Sequence, residues 1–217
     1  MDGRGLAGTG GTAPPQEPLS SRSEAVIRIR PYRREDYDVV RRWIDDREAG
    51  GPFTLQVPKR TDDEIRRFVS GEGDGVNVRF AVEAGGAVIG EVQYRRAGQM
   101  PGVYELGIGI WDPAQRGKGY GREAQRQLIE LIFGDLGGHR VQAGTEPANV
   151  AERRVLESLG FTEEGILRGY LRRPGSAGDI VMCSVLKEEW PPASPGQSPN
   201  AGVRDEGSEP NPWTSTS

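Results

Sequence analysis

The sequence predicts a single α/β domain, a mixed β-sheet with helices on both faces, set between two tails. Three observations predict it. Seven segments read as strands and four carry apolar residues at helical spacing. Their order, β-α-α-β-β-β-α-β-α-β-β, puts hairpins first and a β-α-β crossover in the second half, which calls for antiparallel and parallel pairing in one sheet. Gly and Pro crowd the ends: residues 1–23 hold five Gly and three Pro, and residues 191–217 hold six of the 16 Pro. Such stretches bury too little apolar surface to offset the entropy of ordering. The expected organisation is a disordered tail over 1–23, a domain over 24–190 and a disordered tail over 191–217.

The elements follow in order. Val26 to Tyr32 is a strand stopped by Pro31. Tyr37, Val40 and Ile44 give a helical stripe within Arg33 to Asp46, broken at Gly50-Gly51-Pro52. Thr61-Asp62-Asp63-Glu64 is a capping box, and Ile65, Phe68 and Val69 continue it as a helix to about Ser70. Val76–Ala84, Ala87–Arg96 and Val103–Trp111 are strands, the first two joined by the hairpin signal Gly85-Gly86. Tyr120, Ala124, Leu128, Leu131 and Ile132 mark the third helix. Arg140–Thr145 is a strand. Asn149 starts a helix through Ala151, Val155 and Leu159, closed by Gly160. Phe161–Leu171 and Asp179–Leu186 are the last strands.

Composition excludes several classes of function. One Cys (Cys183) and one His (His139) leave no multi-cysteine or histidine metal site, so no metal is expected. No apolar run approaches the ~18 residues of a membrane span. The N-terminus lacks the apolar region of a secretory signal. A net charge of −4 gives no general reason to bind nucleic acid. Arginines far outnumber the three lysines, Lys59, Lys118 and Lys187, as in GC-rich bacterial coding. A cytoplasmic bacterial protein is the expectation.

The most informative segment is Gln115-Arg116-Gly117-Lys118-Gly119-Tyr120-Gly121. It lies between a strand and a helix, after the turn-forming Asp112-Pro113. Glycines at 117, 119 and 121 allow positive φ and close backbone approach. The first helical N–H groups lack internal partners, and the helix dipole adds ~0.3–1 kcal/mol for an anion. Arg116 and Lys118 add charge. A Walker loop requires Ser or Thr after Gly117-Lys118, where Gly119 stands. A Rossmann turn counted from Gly117 requires Gly at Arg122. A tight turn that binds nothing is the remaining alternative.

These residues carry a resemblance. Arg116-Gly117-Lys118-Gly119-Tyr120-Gly121 resembles R/Q-x-x-G-x-G/A, the pyrophosphate motif of the GNAT superfamily of acetyl-CoA-dependent N-acetyltransferases. Glu105 to Ile110 looks like that family's fourth strand. Asn149 through Leu159-Gly160-Phe161 is similar to its second motif. Glu164-Gly165-Ile166-Leu167-Arg168, Asp179 and Glu189-Trp190 resemble the branch of ribosomal-protein N-terminal acetyltransferases. The resemblance spans Val26 to Trp190 and implies a V-splayed mixed sheet. It implies that residues 116–121 bind the pyrophosphate of acetyl-CoA, that Asn149 contacts the coenzyme arm, and that the reaction is acetyl transfer to a primary amine.

Acyl transfer needs the coenzyme held, the carbonyl oxygen stabilised and the amine neutral. Gly107 and Gly109 interrupt an apolar strand, a pattern of close backbone approach. An arm amide would pair there like an added strand, and strand N–H groups near Ile108 to Ile110 would face the thioester oxygen. The other reading is glycine packed under a bulky helix residue. Alternation puts Leu106, Ile108 and Ile110 on one face, and Glu105, Gly107 and Gly109 on the other. Glu105 is the candidate base, or else a strand charge in an ion pair. The Tyr that many relatives carry seven residues after the Asn is replaced by Leu156, leaving Tyr170, Ser158 or water as thiolate acids. His139 reads as a loop residue and Cys183 as a buried strand residue. Trp43, Phe53 and Trp111 are candidates for an acceptor pocket or for the core. Asp45, Asp46, Glu48, Asp62, Asp63 and Glu64 would attract a cationic acceptor, or are simply solvated. The expected acceptor is a protein N-terminal amine; small amines of the aminoglycoside type, and a non-catalytic acyl-CoA-binding module, are the alternatives. A homodimer is the oligomer entertained.

Overall fold

The computed structural model describes residues 26–46, 51–53, 60–72, 76–173 and 176–190. Both expected tails, and Glu48, lie outside the described residues. Seven strands form one sheet: β1 (Ile27–Pro31), β2 (Asn77–Ala84), β3 (Ala87–Arg96), β4 (Val103–Ile110), β5 (Arg140–Thr145), β6 (Thr162–Arg173) and β7 (Ser176–Leu186). Their spatial order is β1-β2-β3-β4-β5-β7-β6. The helices are α1 (Tyr37–Asp45), α2 (Asp62–Val69), α3 (Tyr120–Gly134) and α4 (Val150–Ser158). The order of elements is the one the sequence predicts.

Among the described residues only the β4–β5 pair is parallel, as a crossover through a helix requires. That pairing covers Val103↔Arg140, Tyr104↔Val141 and Glu105↔Gln142 and then stops. From Leu106 to Ile110, β4 continues to pair with β3 while its other edge leaves β5. This is the V-shaped opening that the resemblance implies.

The helices sit on opposite faces because strand side chains alternate. On β2, Phe80 and Val82 join the core with Leu128, Ile129 and Ile132 of α3 and Leu156 of α4. Ala81 points the other way and meets Val40 of α1 and Ile65 and Val69 of α2. Ile65, Leu128, Ile129 and Ile132 are wholly buried, each stabilising the fold by about 1.5–3 kcal/mol relative to exposure.

Helix starts follow side-chain chemistry. Thr61 and Glu64 form the expected capping box on α2, with Glu64 Oε2 accepting from Thr61 N at 2.6 Å. The α1 stretch begins one turn later than expected, in a short 3-10 turn at Arg34–Asp36. Asp36 explains it: the carboxylate accepts from Arg33 N at 2.8 Å and from both Arg30 Nη atoms at 2.8 and 2.9 Å. The final hairpin is longer than expected, because pairing extends outward from Asp179 to Ser176.

Candidate active site

The end of β4 turns into α3 through a short 3-10 turn, Pro113–Gln115, capped by Asp112, whose Oδ1 accepts from Ala114 N at 2.9 Å. Gly117 and Gly119 have φ of 71° and 83°. These left-handed values cost a residue with a Cβ roughly 1–2 kcal/mol. No atom lies within 4 Å of where a Cβ would stand at either glycine, so the loop surface is open. Gly119 is the N-cap of α3, and the first helical bond runs from Glu123 N to Gly119 O at 3.1 Å. The N–H groups of Tyr120, Gly121 and Arg122 precede that bond and leave the helix along its axis. Open glycines, outward N–H groups and the positive helix end make a cradle that fits a diphosphate.

The two cations of the loop divide their roles. Lys118 stays at the surface, with Nζ 3.0 Å from Gln115 Oε1. Arg116 turns back, donating from Nε to Ile110 O at 2.9 Å and from Nη2 to Trp111 O at 3.2 Å. It fastens the loop to the end of β4. Gly121 seats α3 against β4: a Cβ there would lie 3.7 Å from Ile110 Cγ1 and 3.8 Å from Ile108 Cγ1.

The opposite face of β4 holds Glu105, Gly107 and Gly109. The space above the glycines is taken by side chains: Gln93 Nε2 is 3.0 Å from a Cβ placed on Gly107, and Trp111 Nε1 is 3.4 Å from one on Gly109. The bulk comes from Gln93 on β3 and from Trp111 just beyond β4, not from a helix. What remains for an arm is the edge of β4 that β5 leaves. Trp43 faces Trp111 with ring centroids 6.0 Å apart, and Trp43 Nε1 is buried without a partner. Phe53 is exposed.

Glu105 is an ion-pair partner. Its Oε1 accepts from Arg95 Nη2 at 2.6 Å, and its Oε2 lies 3.4 Å from Gln142 Nε2. The Glu105 carboxylate raises the Arg95 guanidinium above its usual range, and Tyr170 contributes as well. Tyr170 reaches this site through an irregularity in β6. Pairing jumps between Leu167↔Ile180 and Leu171↔Gly178, and Asp179 Oδ1 accepts from Gly169 N at 2.8 Å to hold the bulge. Neighbouring acids are also matched: Glu91 pairs with Arg79 at 2.9 Å, Asp45 and Asp62 with Arg41, and Asp63 with Arg66. Of the six acids read as a lure for cations, Asp45, Asp62 and Asp63 are thus ion-paired, the first two sharing Arg41.

Asn149 caps α4, its Oδ1 accepting from Glu152 N at 3.3 Å while Nδ2 donates to Thr145 Oγ1 at 3.1 Å. Leu156 is buried in the core. Ser158 is engaged with Arg122 Nε at 3.0 Å and with Val155 O at 2.7 Å, which leaves Tyr170 and water as the thiolate acids considered above. His139 is exposed and joins loops through Gly102 O and Lys187 N, both at 2.9 Å. Cys183 is buried, and burial pushes its thiol up.

A buried polar residue, Gln125, and its half-buried neighbour Glu152 escaped the sequence reading. Gln125 on α3 is fully buried, and neither its Nε2 nor its Oε1 has a hydrogen-bond partner. Glu152 on α4 lies close enough for Gln125 to favour its ionised form, but burial dominates and pushes its carboxyl up. The signal was available. Gln125 stands three residues before Leu128 and four before Ile129, inside the apolar arc of α3.

A family model described as an acetyltransferase (GNAT) domain matches residues 27–162. An uncharacterized N-acetyltransferase p20 of Bacillus licheniformis is 31% identical over 173 residues, 76% of this chain and 94% of that protein. YdaF of Bacillus subtilis, whose name assigns it provisionally to ribosomal N-acetyltransferases, is 34% identical over 50% of this chain and 61% of that protein. The structure of Mycobacterium smegmatis RimJ in complex with CoA-disulfide superposes with a TM-score of 0.66, 22% identity and coverage of 77% of this chain and 85% of that one. The chain belongs to the GNAT acetyltransferase family, and it is an N-acetyltransferase with acetyl-CoA as co-substrate. Among the described residues no group of three or more His, Cys, Asp or Glu converges on a point, and no helix is long and apolar enough to cross a membrane.

Proposed function

We propose that the acceptor is the N-terminal amine of a polypeptide. The observation that carries this reading is the charge balance of the acceptor face. Glu91 is paired with Arg79 and Glu105 with Arg95, both at the sheet surface that α1 and α2 flank. A polyamine is best held by several uncompensated carboxylates. A peptide N-terminus brings one ammonium followed by neutral backbone, which suits a face that is polar but balanced. The similarity to YdaF supports the same branch.

The residues divide the work. The cradle at Gly117, Gly119, Tyr120 and Gly121, with Lys118, holds the diphosphate; Arg116 sets the loop; Asn149 and the free edge of β4 around Ile108 and Ile110 receive the arm. Acetyl-CoA supplies the acetyl thioester. The acceptor nitrogen forms a bond to the acetyl carbon as the carbon–sulfur bond breaks, and coenzyme A leaves as the thiolate, which takes a proton from Tyr170 or water. The amine must lose a proton for this, and Glu105 accepts it, with Arg95 and Gln142 fixing the carboxylate in place.

The test is release of free coenzyme A thiol with three acceptors in parallel: an unblocked peptide, spermidine and an aminoglycoside. Faster turnover with the peptide is expected. Turnover confined to spermidine or the aminoglycoside assigns a small-molecule acceptor instead. Release with none of the three, in a chain that binds acetyl-CoA, favours a binding module.

A further inference from the structure

Arg116 belongs by sequence to the glycine loop and by contact to the other side of β4. Its Nε and Nη2 donate to Ile110 O and Trp111 O at 2.9 and 3.2 Å. Its Nη1 faces Gly51, where a Cβ would lie only 3.2 Å away. Gly51 has φ of 74°, a left-handed value that strains any residue with a Cβ. Backbone conformation and the guanidinium beside it both select glycine there.

These contacts lead to the acceptor face. Gly51 lies in the connection between α1 and α2, the two helices that flank that face. Trp111 packs against the cluster of Val40 from α1 and Ile65 and Val69 from α2. Its ring faces Trp43 of α1, and its Nε1 stands 3.4 Å from a Cβ placed on Gly109. Arg116 thus ties the start of the coenzyme loop to the end of β4 and to the α1–α2 connection. A guanidinium carries its donors in a rigid planar fork, so one side chain can hold two carbonyls and still lie against a glycine. A lysine ammonium, a point charge on a flexible stem, has no such span.

We propose, on the reading that the amine reaches β4 from the face that Glu105 shares, that Arg116 is a positioning residue for the acceptor. Its side chain holds Gly51 and Trp111 in the arrangement that the amine meets as it approaches β4. The diphosphate is left to the backbone N–H groups of the loop and to Lys118, whose Nζ stays at the surface beside Gln115. Removing the Arg116 side chain therefore weakens the acceptor more than the coenzyme. A charge that served the phosphates would show the reverse. Arg116 also sets the loop, so Gly51, which lies outside the loop, supplies the cleaner variant.

The experiment measures, on the full chain, the acetyl-CoA dissociation constant by calorimetry, and KM and kcat at saturating acetyl-CoA for an unblocked peptide, spermidine and an aminoglycoside in parallel. For Arg116→Ala we expect KM for the amine that the wild type acetylates to rise about tenfold, and the acetyl-CoA constant by about threefold or less. Gly51→Ala should raise the same KM about fivefold, with the acetyl-CoA constant within about twofold of the wild type. Arg116→Lys should behave as the Ala variant, because the charge is kept and the fork is lost. If acetyl-CoA affinity falls more than the amine KM rises in Arg116→Ala, and returns in Arg116→Lys, the proposal is overturned and Arg116 is a phosphate charge. An amine KM unchanged in folded Arg116→Ala and Gly51→Ala also overturns it. Wild-type turnover confined to spermidine or the aminoglycoside corrects the polypeptide reading, and the same KM comparison on that amine still decides the role of Arg116. A wild type that acetylates none of the three overturns both.

Discussion

The two sides of β4 are built by different means. On the side proposed for the coenzyme the features belong to the backbone: glycines at φ of 71° and 83°, the first turn of α3 and a strand edge without a partner among the described residues. On the acceptor side the side chains do, in pairs that cross from strand to strand: Glu105 with Arg95, Glu91 with Arg79, Glu83 with Arg30. The first design leaves polar groups unspent for a ligand. The second leaves few, which is why an acceptor with a single charge is proposed for it.

The comparison can be broken hardest at Glu105. Glu105→Gln keeps the size and the contact to Gln142 but cannot take a proton. We expect kcat at neutral pH to fall about 10²–10⁴-fold, with part of the loss recovered at high pH, where solution supplies the free amine. A wild-type rate from about pH 6 to 9 would leave Glu105 as a strand charge, with proximity alone carrying catalysis.

The ion-paired half should also be the more fragile. The Arg30 and Asp36 side chains are only 7% and 6% exposed. Removing one partner of such a buried pair costs about 3–5 kcal/mol. Asp36→Ala should therefore lower the melting temperature strongly, while Lys118→Ala, at an exposed position of the glycine loop, should change stability little. Equal melting temperatures for Asp36→Ala and the wild type would contradict this.

Acid should act on the same half. Burial alone would raise the Asp36 carboxyl, but the Arg30 guanidinium and the Arg33 N–H outweigh it and hold it below the usual range. Arg30 likewise lowers Glu83, and Arg140 with Ser184 brings Glu164 down to about 2. Depressed carboxylates contribute stability that is fully present above their unfolded values near ~4 and lost as pH falls through the folded ones. Thermal scans should be flat from about pH 7 to 5 and decline from about 4 toward 2. A flat curve down to pH ~2 would mean that these pairs add nothing. Removing both tails should have the smallest effect, leaving the melting temperature and coenzyme affinity of residues 24–190 as in the full chain.

The contrast also explains what the sequence made legible. Backbone devices leave local marks. Gly117, Gly119 and Gly121 at alternate positions, Asp112 before Pro113, and Thr61 with Glu64 each declare a conformation within a few residues. All of the helices and strands could be placed this way. Pairing between distant strands leaves no such mark. Arg95 and Glu105 meet only because β3 and β4 are in register, and Tyr170 arrives only because Gly169 and Asp179 hold a bulge in β6. Arg116 is a similar case: its charge is visible in sequence, but its turn toward Ile110 O is not. Gln125 is an intermediate case, visible as a polar residue in an apolar arc but mute about what lies opposite.

The most direct test of this division is one calorimetric series, titrating acetyl-CoA into the wild type, Gly119→Val and Glu105→Gln. The account predicts at least about tenfold weaker binding, or ~1.4 kcal/mol, for Gly119→Val with its fold retained, because a β-branched residue strains φ and fills the cradle. Glu105→Gln should bind within about twofold of the wild type. A folded Gly119→Val of unchanged affinity, or a Glu105→Gln weakened as much as the glycine variant, would contradict it.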